Sequence, residues 1–386
     1  MAKTIIFCAD GTWNGPGEPD DADKTAGPTN VFKLYMNLAG IDTPSSYLLA
    51  KEQEREARDD AGTLLQIAKY LHGVGDSDNF LVKILGGTIG AGLITRIVRG
   101  YTFISRNFEP GDRIVVIGFS RGAYTARAVA GLIAGKGLLN AKKLNLDDKD
   151  MAYRLGAAVW FDYRRAIVAK KGTWLDQMKG LALDLPGFFT QPIDPANLIS
   201  VDIQTVAVWD TVGALGIPVF SSEGRLDLFQ FADTVLSTKV ARGLHAVAID
   251  ELRTDFTPTL WQADARIKQV LFCGAHGDVG GGNSLSSGES GLSDCALEWM
   301  QTELVADGVQ FAPKPAFKPA PGALAAAHTP WAVLPWTQLP NGPRTFSKGL
   351  AVARYVKDRL AGAQYNPANM TDYIAKGALL PAVIVV

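Results

Sequence analysis

Short unbroken apolar runs punctuate the chain, and stretches with helical spacing lie between them. Thr4–Ala9 (TIIFCA), residues 114–119 (IVVIGF), residues 201–209 (VDIQTVAVW) and residues 269–274 (QVLFCG) are rich in β-branched residues and show little polar alternation, the mark of strands covered on both faces of a parallel sheet. Helical spacing resumes over residues 31–38, through Ile94, Val98, Tyr101 and Ile104, and through Ala126, Val129, Ala130 and Ile133. Strands alternating with helices predict an α/β fold: a mostly parallel central sheet with helices on both faces. The block ARGLHAVAIDELR around His245 carries apolar spacing that reads as a helix, and the charged run 52–60 reads as a solvated helix face or an exposed loop.

Each strand-like run ends in chemistry. Residues 112–134 hold a strand, a one-residue corner and a helix in succession, and the corner is Ser120. Gly118 and Gly122 flank it at minus two and plus two, which is the nucleophile elbow: missing Cβ atoms let strand and helix pass closely while the hydroxyl projects outward. A helix N-terminus behind that serine favours an oxyanion. The run 201–209 delivers Asp210, and the run 269–274 delivers His276. The order Ser120, Asp210, His276 is the triad order of this class of fold, with each member just past a strand.

Asp10-Gly11-Thr12 stands at the carboxyl end of the first strand, where open α/β sheets bind ligands. One reading makes the N–H groups of Gly11 and Thr12 oxyanion donors beside the backbone N–H of Arg121. A second sees half of the DxDGT signature of aspartate-nucleophile phosphatases, but Cys8 stands where its first acid belongs. A third takes the segment as a turn capped by Asp10. Asp278, two residues past His276, is placed to orient the imidazole, cap a turn, or join Asp10 and Asp210 around a metal; without a visible convergence of oxygen ligands no metal and no cofactor are assigned. Of the other histidines, His72 follows a strand end and is a candidate pocket residue, while His245, with Asp250 and Glu251, is assigned to scaffold or pocket support. The glycine-rich run 86–92 lacks the GK[ST] ending of a nucleotide loop and reads as close helix packing.

Composition narrows the class. With 386 residues, 47% hydrophobic and 20% charged, the chain is of ordinary globular composition, and a net charge of −1 gives no footprint for nucleic acid. Cys8, Cys273 and Cys295 form no CxxC pair and read as buried thiols. The first apolar run is too short for a signal-peptide core, no run approaches the ~20 residues of a membrane helix, and a cytoplasmic site of synthesis is expected. Residues 140–200, with Trp160, Phe161, Trp174, Phe188 and Phe189, are expected either as a helical cap whose aromatics suit an acyl chain or as extra packed helices. The catalytic domain is expected over 1–310, with 311–386 a Pro-rich linker and a helical tail packing on the core, and the apolar end GALLPAVIVV a packed tail or a partner surface.

The blocks FCADGTWN, TNVFKL, YLHGVGD, GDRIVVIGFSRGAYTARAVAG, VAVWDTVGALG, HAVAIDELRTDFTPTLW, GAHGDVGGGN and LSDCALEWM resemble the uncharacterised alpha/beta-hydrolase domain family that includes the type VI secretion phospholipase effectors of the first lipase class. The resemblance implies an alpha/beta-hydrolase core and a Ser-Asp-His triad at Ser120, Asp210 and His276. It leaves the substrate open: an acyl ester of a phospholipid or other lipid is the favoured expectation, with a small soluble ester, or a partner-binding protein that keeps the fold without turnover, as the alternatives; transient contact with a membrane surface and a type VI export route are further expectations.

Overall fold

The computed structural model describes residues 2–11, 27–43, 52–73, 89–171, 193–212, 234–285, 288–334, 336–338 and 340–386. Among these, the central sheet has nine strands in the order β11-β10-β9-β8-β5-β1-β4-β3-β2. They are β1 (Thr4–Ala9), β2 (Ile41–Asp42), β3 (Glu52–Arg58), β4 (Leu64–Leu71), β5 (Arg113–Phe119), β8 (Ile203–Trp209), β9 (Val240–Ala248), β10 (Ile267–Phe272) and β11 (Ala351–Val352). Between β5 and β8 in sequence, β6 (Leu138–Leu139) and β7 (Leu198–Ile199) form a separate antiparallel pair. From β11 to β4 the neighbours are parallel, and β3 and β2 add antiparallel at one edge. The expected α/β class and mostly parallel sheet are therefore what the chain forms.

The runs lack polar alternation because both faces of the sheet are covered. In β1, Ile5, Phe7 and Ala9 face one layer and Ile6 and Cys8 the other. The first layer comes from α2 (Ile89–Asn107), α3 (Arg121–Lys136) and α4 (Lys149–Lys171), and the second from α1 (Asn30–Asn37) and α6 (Gly291–Ala306). Thr29 starts α1 by accepting the Phe32 N–H on its side-chain oxygen, a standard N-cap. Gly100 in α2 lies so close to β1 that a Cβ there would sit 2.5 Å from the Phe7 ring. Of the glycine-rich run expected to pack closely, residues 86–88 lie outside the described residues and 89–92 form the start of α2.

Two sequence expectations are corrected. The His245 block is the buried strand β9, paired in parallel with β8 and β10, and not a helix. Residues 52–58 are the strand β3, and not a solvated helix or loop. Its charges pair across the sheet: Lys69 Nζ lies 2.7 Å from Glu52 and 3.0 Å from Glu54, and Arg99 reaches Glu52 at 2.8 Å.

In the expected cap region, α4 lies against α2 and α3, with Ala152, Ala157, Val159 and Trp160 buried in the first layer and Phe161 packed against it. Trp160 therefore belongs to the core; Trp174, Phe188 and Phe189 lie outside the described residues. The C-terminal segment contributes β11, the helix α7 (Arg354–Gly362) and the hairpin of β12 (Ile374–Ala375) and β13 (Ala378–Leu379), so it is mixed in structure and not simply helical. Val352, Val356, Met370, Tyr373 and Ile374 bury Val247, Ile249, Leu271 and Cys273, covering the end of the sheet that α2 to α4 do not reach. The last residues run beside β11, with Val352 N–H bonded to the Ile384 carbonyl and Val386 N–H to the Val352 carbonyl.

Candidate active site

β5 and β8 are neighbours, with Phe119 opposite Trp209, so Ser120 and Asp210 are each the first residue beyond a paired strand end. Ser120 N–H donates to the Trp209 carbonyl at 3.2 Å. At φ 57° and ψ −124° Ser120 occupies a backbone region that non-glycine residues avoid. The surroundings enforce this: a Cβ on Gly118 would fall 2.3 Å from the Gly122 carbonyl oxygen, and one on Gly122 would fall 2.1 Å from that of Ala9. Only paired glycines let α3 begin this close to β1 and β5. Arg121 is the first residue of α3. Its guanidinium, buried and near Arg96, is lowered to about 10.

Asp210 also has positive φ, at 35°. Its N–H donates to the Ala246 carbonyl at 2.7 Å, and its Oδ1 accepts the Ala248 N–H at 2.9 Å, so the carboxylate lies over the end of β9. From there Oδ2 stands 2.6 Å from His276 Nδ1. His276 opens α5 (His276–Gly280), just beyond β10. Its N–H donates to Glu251 Oε2 at 3.2 Å, and its ring lies between Phe119, at a centroid distance of 4.6 Å, and Phe256, edge-on at 4.9 Å.

Electrostatics fixes the protonation pattern. Burial alone would raise the Asp210 carboxyl, but Arg344 and His276 outweigh it and hold it well below the usual carboxylate range. His276 is pushed down by burial, an effect that Asp210 only partly offsets. The two directions together leave a neutral imidazole facing an ionised carboxylate. An ionised carboxylate only accepts, so Nδ1 carries the proton and Nε2 is left as the basic nitrogen.

The remaining candidates fall in several places. Asp10 is buried against β1, accepting from Gly11 N–H at 2.6 Å, Thr29 Oγ1 at 2.7 Å and Tyr70 Oη at 2.5 Å, and burial pushes it up to about 6. Gly11 lies close to Ser120, since a Cβ there would lie 3.3 Å from Ser120 Cβ; its N–H donates to Asp10 Oδ1, in place of the oxyanion role expected of it. Thr12 lies outside the described residues. Asp278 does not reach His276: it accepts the Ala275 N–H at the start of its own helix and holds Asn283 and His328, the last at 2.5 Å. Asp10, Asp210 and Asp278 are thus held by different partners, and no group of three or more His, Cys, Asp or Glu suited to a metal occurs among the described residues. His72 rests its ring edge-on against Tyr70. His245 is buried in β9; its Nε2 accepts the Thr211 N–H at 3.1 Å, its Nδ1 faces Gln269 Oε1 at 3.3 Å, and burial lowers it to about 3.

Sequence reasoning missed the aromatic clamp on His276 and also Arg344. Phe256 lies within a block quoted above, so its proximity to the site was the available signal. Arg344, in the proline-rich tail, carries no pattern that announces a partner 134 residues away.

The family described as "T6SS, Phospholipase effector Tle1-like, catalytic domain" matches residues 3–303. An uncharacterized protein of Saccharomyces cerevisiae, YEL023C, is 28% identical over 254 residues, covering 66% of this chain and 32% of its own length. The Tle1 effector solved bound to the VgrG spike of the type 6 secretion system is 18% identical, with 73% of this chain and 51% of that one covered at a TM-score of 0.35. An uncharacterized protein from Pseudomonas aeruginosa is 15% identical, with 80% and 46% covered at a TM-score of 0.40. The chain thus spans about a third of the yeast protein and about half of each of these structures. With the greater part of its length matched by one family, the chain belongs to the type VI secretion Tle1-like phospholipase effector family through that family's catalytic domain.

Proposed function

We propose that the protein is a serine hydrolase that cleaves carboxylic esters, chiefly the acyl esters of phospholipids and other lipids, through an acyl-enzyme on Ser120. The observation that carries this reading is the Nδ1 contact of His276 with Asp210, formed beside a serine in a strained elbow conformation. Family membership supports the lipid class of ester.

In this mechanism His276 Nε2 takes the Ser120 hydroxyl proton as Oγ attacks the ester carbonyl carbon. The carbonyl electron pair moves onto oxygen, where the backbone N–H of Arg121 at the helix start stabilises it. Collapse expels the alcohol, which takes the proton from His276 and leaves the acyl group on Ser120. Water then attacks with the same base, releasing the carboxylic acid and restoring the serine. Asp210 keeps the imidazole in the right tautomer and stabilises the imidazolium. We assign 1–310 as the hydrolase domain, and Gly118 and Gly122 as the elements that hold the elbow. Among the described residues no helix is long and apolar enough to cross a membrane, so contact with lipid is assigned to a surface encounter.

The test is hydrolysis of p-nitrophenyl esters of rising chain length beside phosphatidylcholine vesicles. Release of fatty acid from vesicles and a preference for long chains are expected. Turnover confined to short soluble esters would contradict the lipid assignment, and no turnover of any ester would contradict the hydrolase assignment.

A further inference from the structure

The Asp210 carboxylate is gripped from outside the family-matched segment. Arg344, in the C-terminal segment, places Nη1 2.7 Å from Asp210 Oδ1 and Nη2 2.8 Å from Oδ2, a two-pronged ion pair. Both partners are buried, Arg344 at 6% and Asp210 at 0% exposure. The same guanidinium donates to the Ala248 carbonyl at 2.7 Å and the Phe256 carbonyl at 2.5 Å. One side chain therefore ties together the acid, the end of β9 and the turn whose Phe256 ring rests on His276. The matched family segment ends at residue 303, so this contact is supplied by the chain's own tail.

We infer that Arg344 is a positioning residue for ester hydrolysis, clamping Asp210 in the orientation from which it holds His276. The inference rests on the triad assigned above. A fork fixes a carboxylate in its plane, whereas a point charge does not. The clamp also sets the charge that the imidazole meets. Around Asp210 stand Arg344, His276 and the Ala248 N–H, with His245 and Arg127 behind them; around His276 stand Asp210, Glu251 and Arg253, and the last two neutralise each other at 2.8 Å. Removing Arg344 leaves an unshared anion facing His276, which makes the imidazole more basic and raises the pH at which the base becomes competent.

The experiment compares wild type, Arg344→Gln, Arg344→Lys and Ser120→Ala as full chains, with folding checked by circular dichroism and kcat/KM for an ester measured against pH. For Arg344→Gln the plateau is expected to fall about 10²-fold through kcat, with KM little changed. Its acid limb should move up by about one pH unit. For Arg344→Lys, which keeps the charge but loses the fork, the plateau should fall about tenfold with the limb near its wild-type position. A folded Arg344→Gln with an unmoved acid limb overturns the inference, whatever its rate. If Arg344→Gln does not fold, Arg344→Lys decides, because wild-type kcat/KM in that variant overturns it equally. Turnover by Ser120→Ala counts against the triad itself, whereas an inert Ser120→Ala beside an unaffected Arg344 variant counts against Arg344 alone.

Discussion

The ring of Phe119, the residue before the elbow serine, lies against the ring of His276, with centroids 4.6 Å apart and planes inclined by 31°. This contact joins the end of β5 to the start of α5, and a second close approach reinforces it: a Cβ on Gly280 would fall 1.8 Å from the Phe119 ring. Gly280→Ala must therefore push α5 away from the elbow. We expect a loss of about 10²-fold in kcat, since a displacement near 1 Å suffices for that, with destabilisation of about 1–3 kcal/mol from overpacking. Ester kinetics and urea unfolding of the same sample check both figures.

Asp210→Asn keeps the shape of the acid but removes the acceptor-only oxygen that fixes the proton on Nδ1. The amide favours the opposite tautomer and leaves Arg344 buried without its anion. Loss of kcat on the order of 10³ to 10⁴-fold is expected, by analogy with the same change in other triads. Turnover within tenfold of wild type would show that Asp210 does not serve His276.

The pH dependence of kcat/KM follows from burial of His276. Burial pushes the imidazole below its ordinary ~6.5. As the proposed base, His276 works only when neutral, so activity should persist below pH 6.5 and fall as pH drops through the lowered value. A pH–rate profile with a neutral ester checks this, and an acid limb above 6.5 would contradict it.

His245 should shape stability and not chemistry. The folded chain keeps it neutral down to about 3, whereas the unfolded chain protonates it near ~6.5. Over that interval the unfolded state binds more protons, so its contribution to stability is lost as pH falls from ~6.5 toward 3, by about 1.4 kcal/mol per pH unit. Asp10, at about 6 in the folded chain against ~3.9 unfolded, acts oppositely: its contribution favours folding at low pH and is lost as pH rises through 6. Asp10 is present in both proteins and cancels when His245→Gln is compared with wild type. At pH 7 the variant should be less stable by about 1–3 kcal/mol, with turnover retained, and the gap should close as pH is lowered toward 4. Urea titrations across that range measure it.

The central strands were legible because burial on both faces leaves runs that are mostly apolar, with few polar positions such as Gln204 and Thr205 in β8. That same property misled at β9, where alanines, valines and leucine without alternation fit a helix as well as a strand. The charged strand β3 was illegible for the opposite reason, since Glu52 and Glu54 are paid for by Lys69 on the adjacent strand, a partner that single-sequence periodicity cannot reveal. Around the site, Ser120, Asp210 and His276 were marked by local strand-end patterns. The side chains that surround them were not: Phe256 and Arg344 reach the site through the path of the chain, and the tail around residue 344 has prolines in place of periodicity.

Covalent labelling of the wild-type protein and of His276→Ala with a fluorophosphonate, followed by peptide mass mapping, bears most directly on the proposed chemistry. An activated nucleophile at the elbow predicts one modified residue, Ser120, in wild type, and labelling slowed by about 10³-fold or more when His276 is removed. Modification at another residue, or equal labelling of Ser120 in the two proteins, would contradict it.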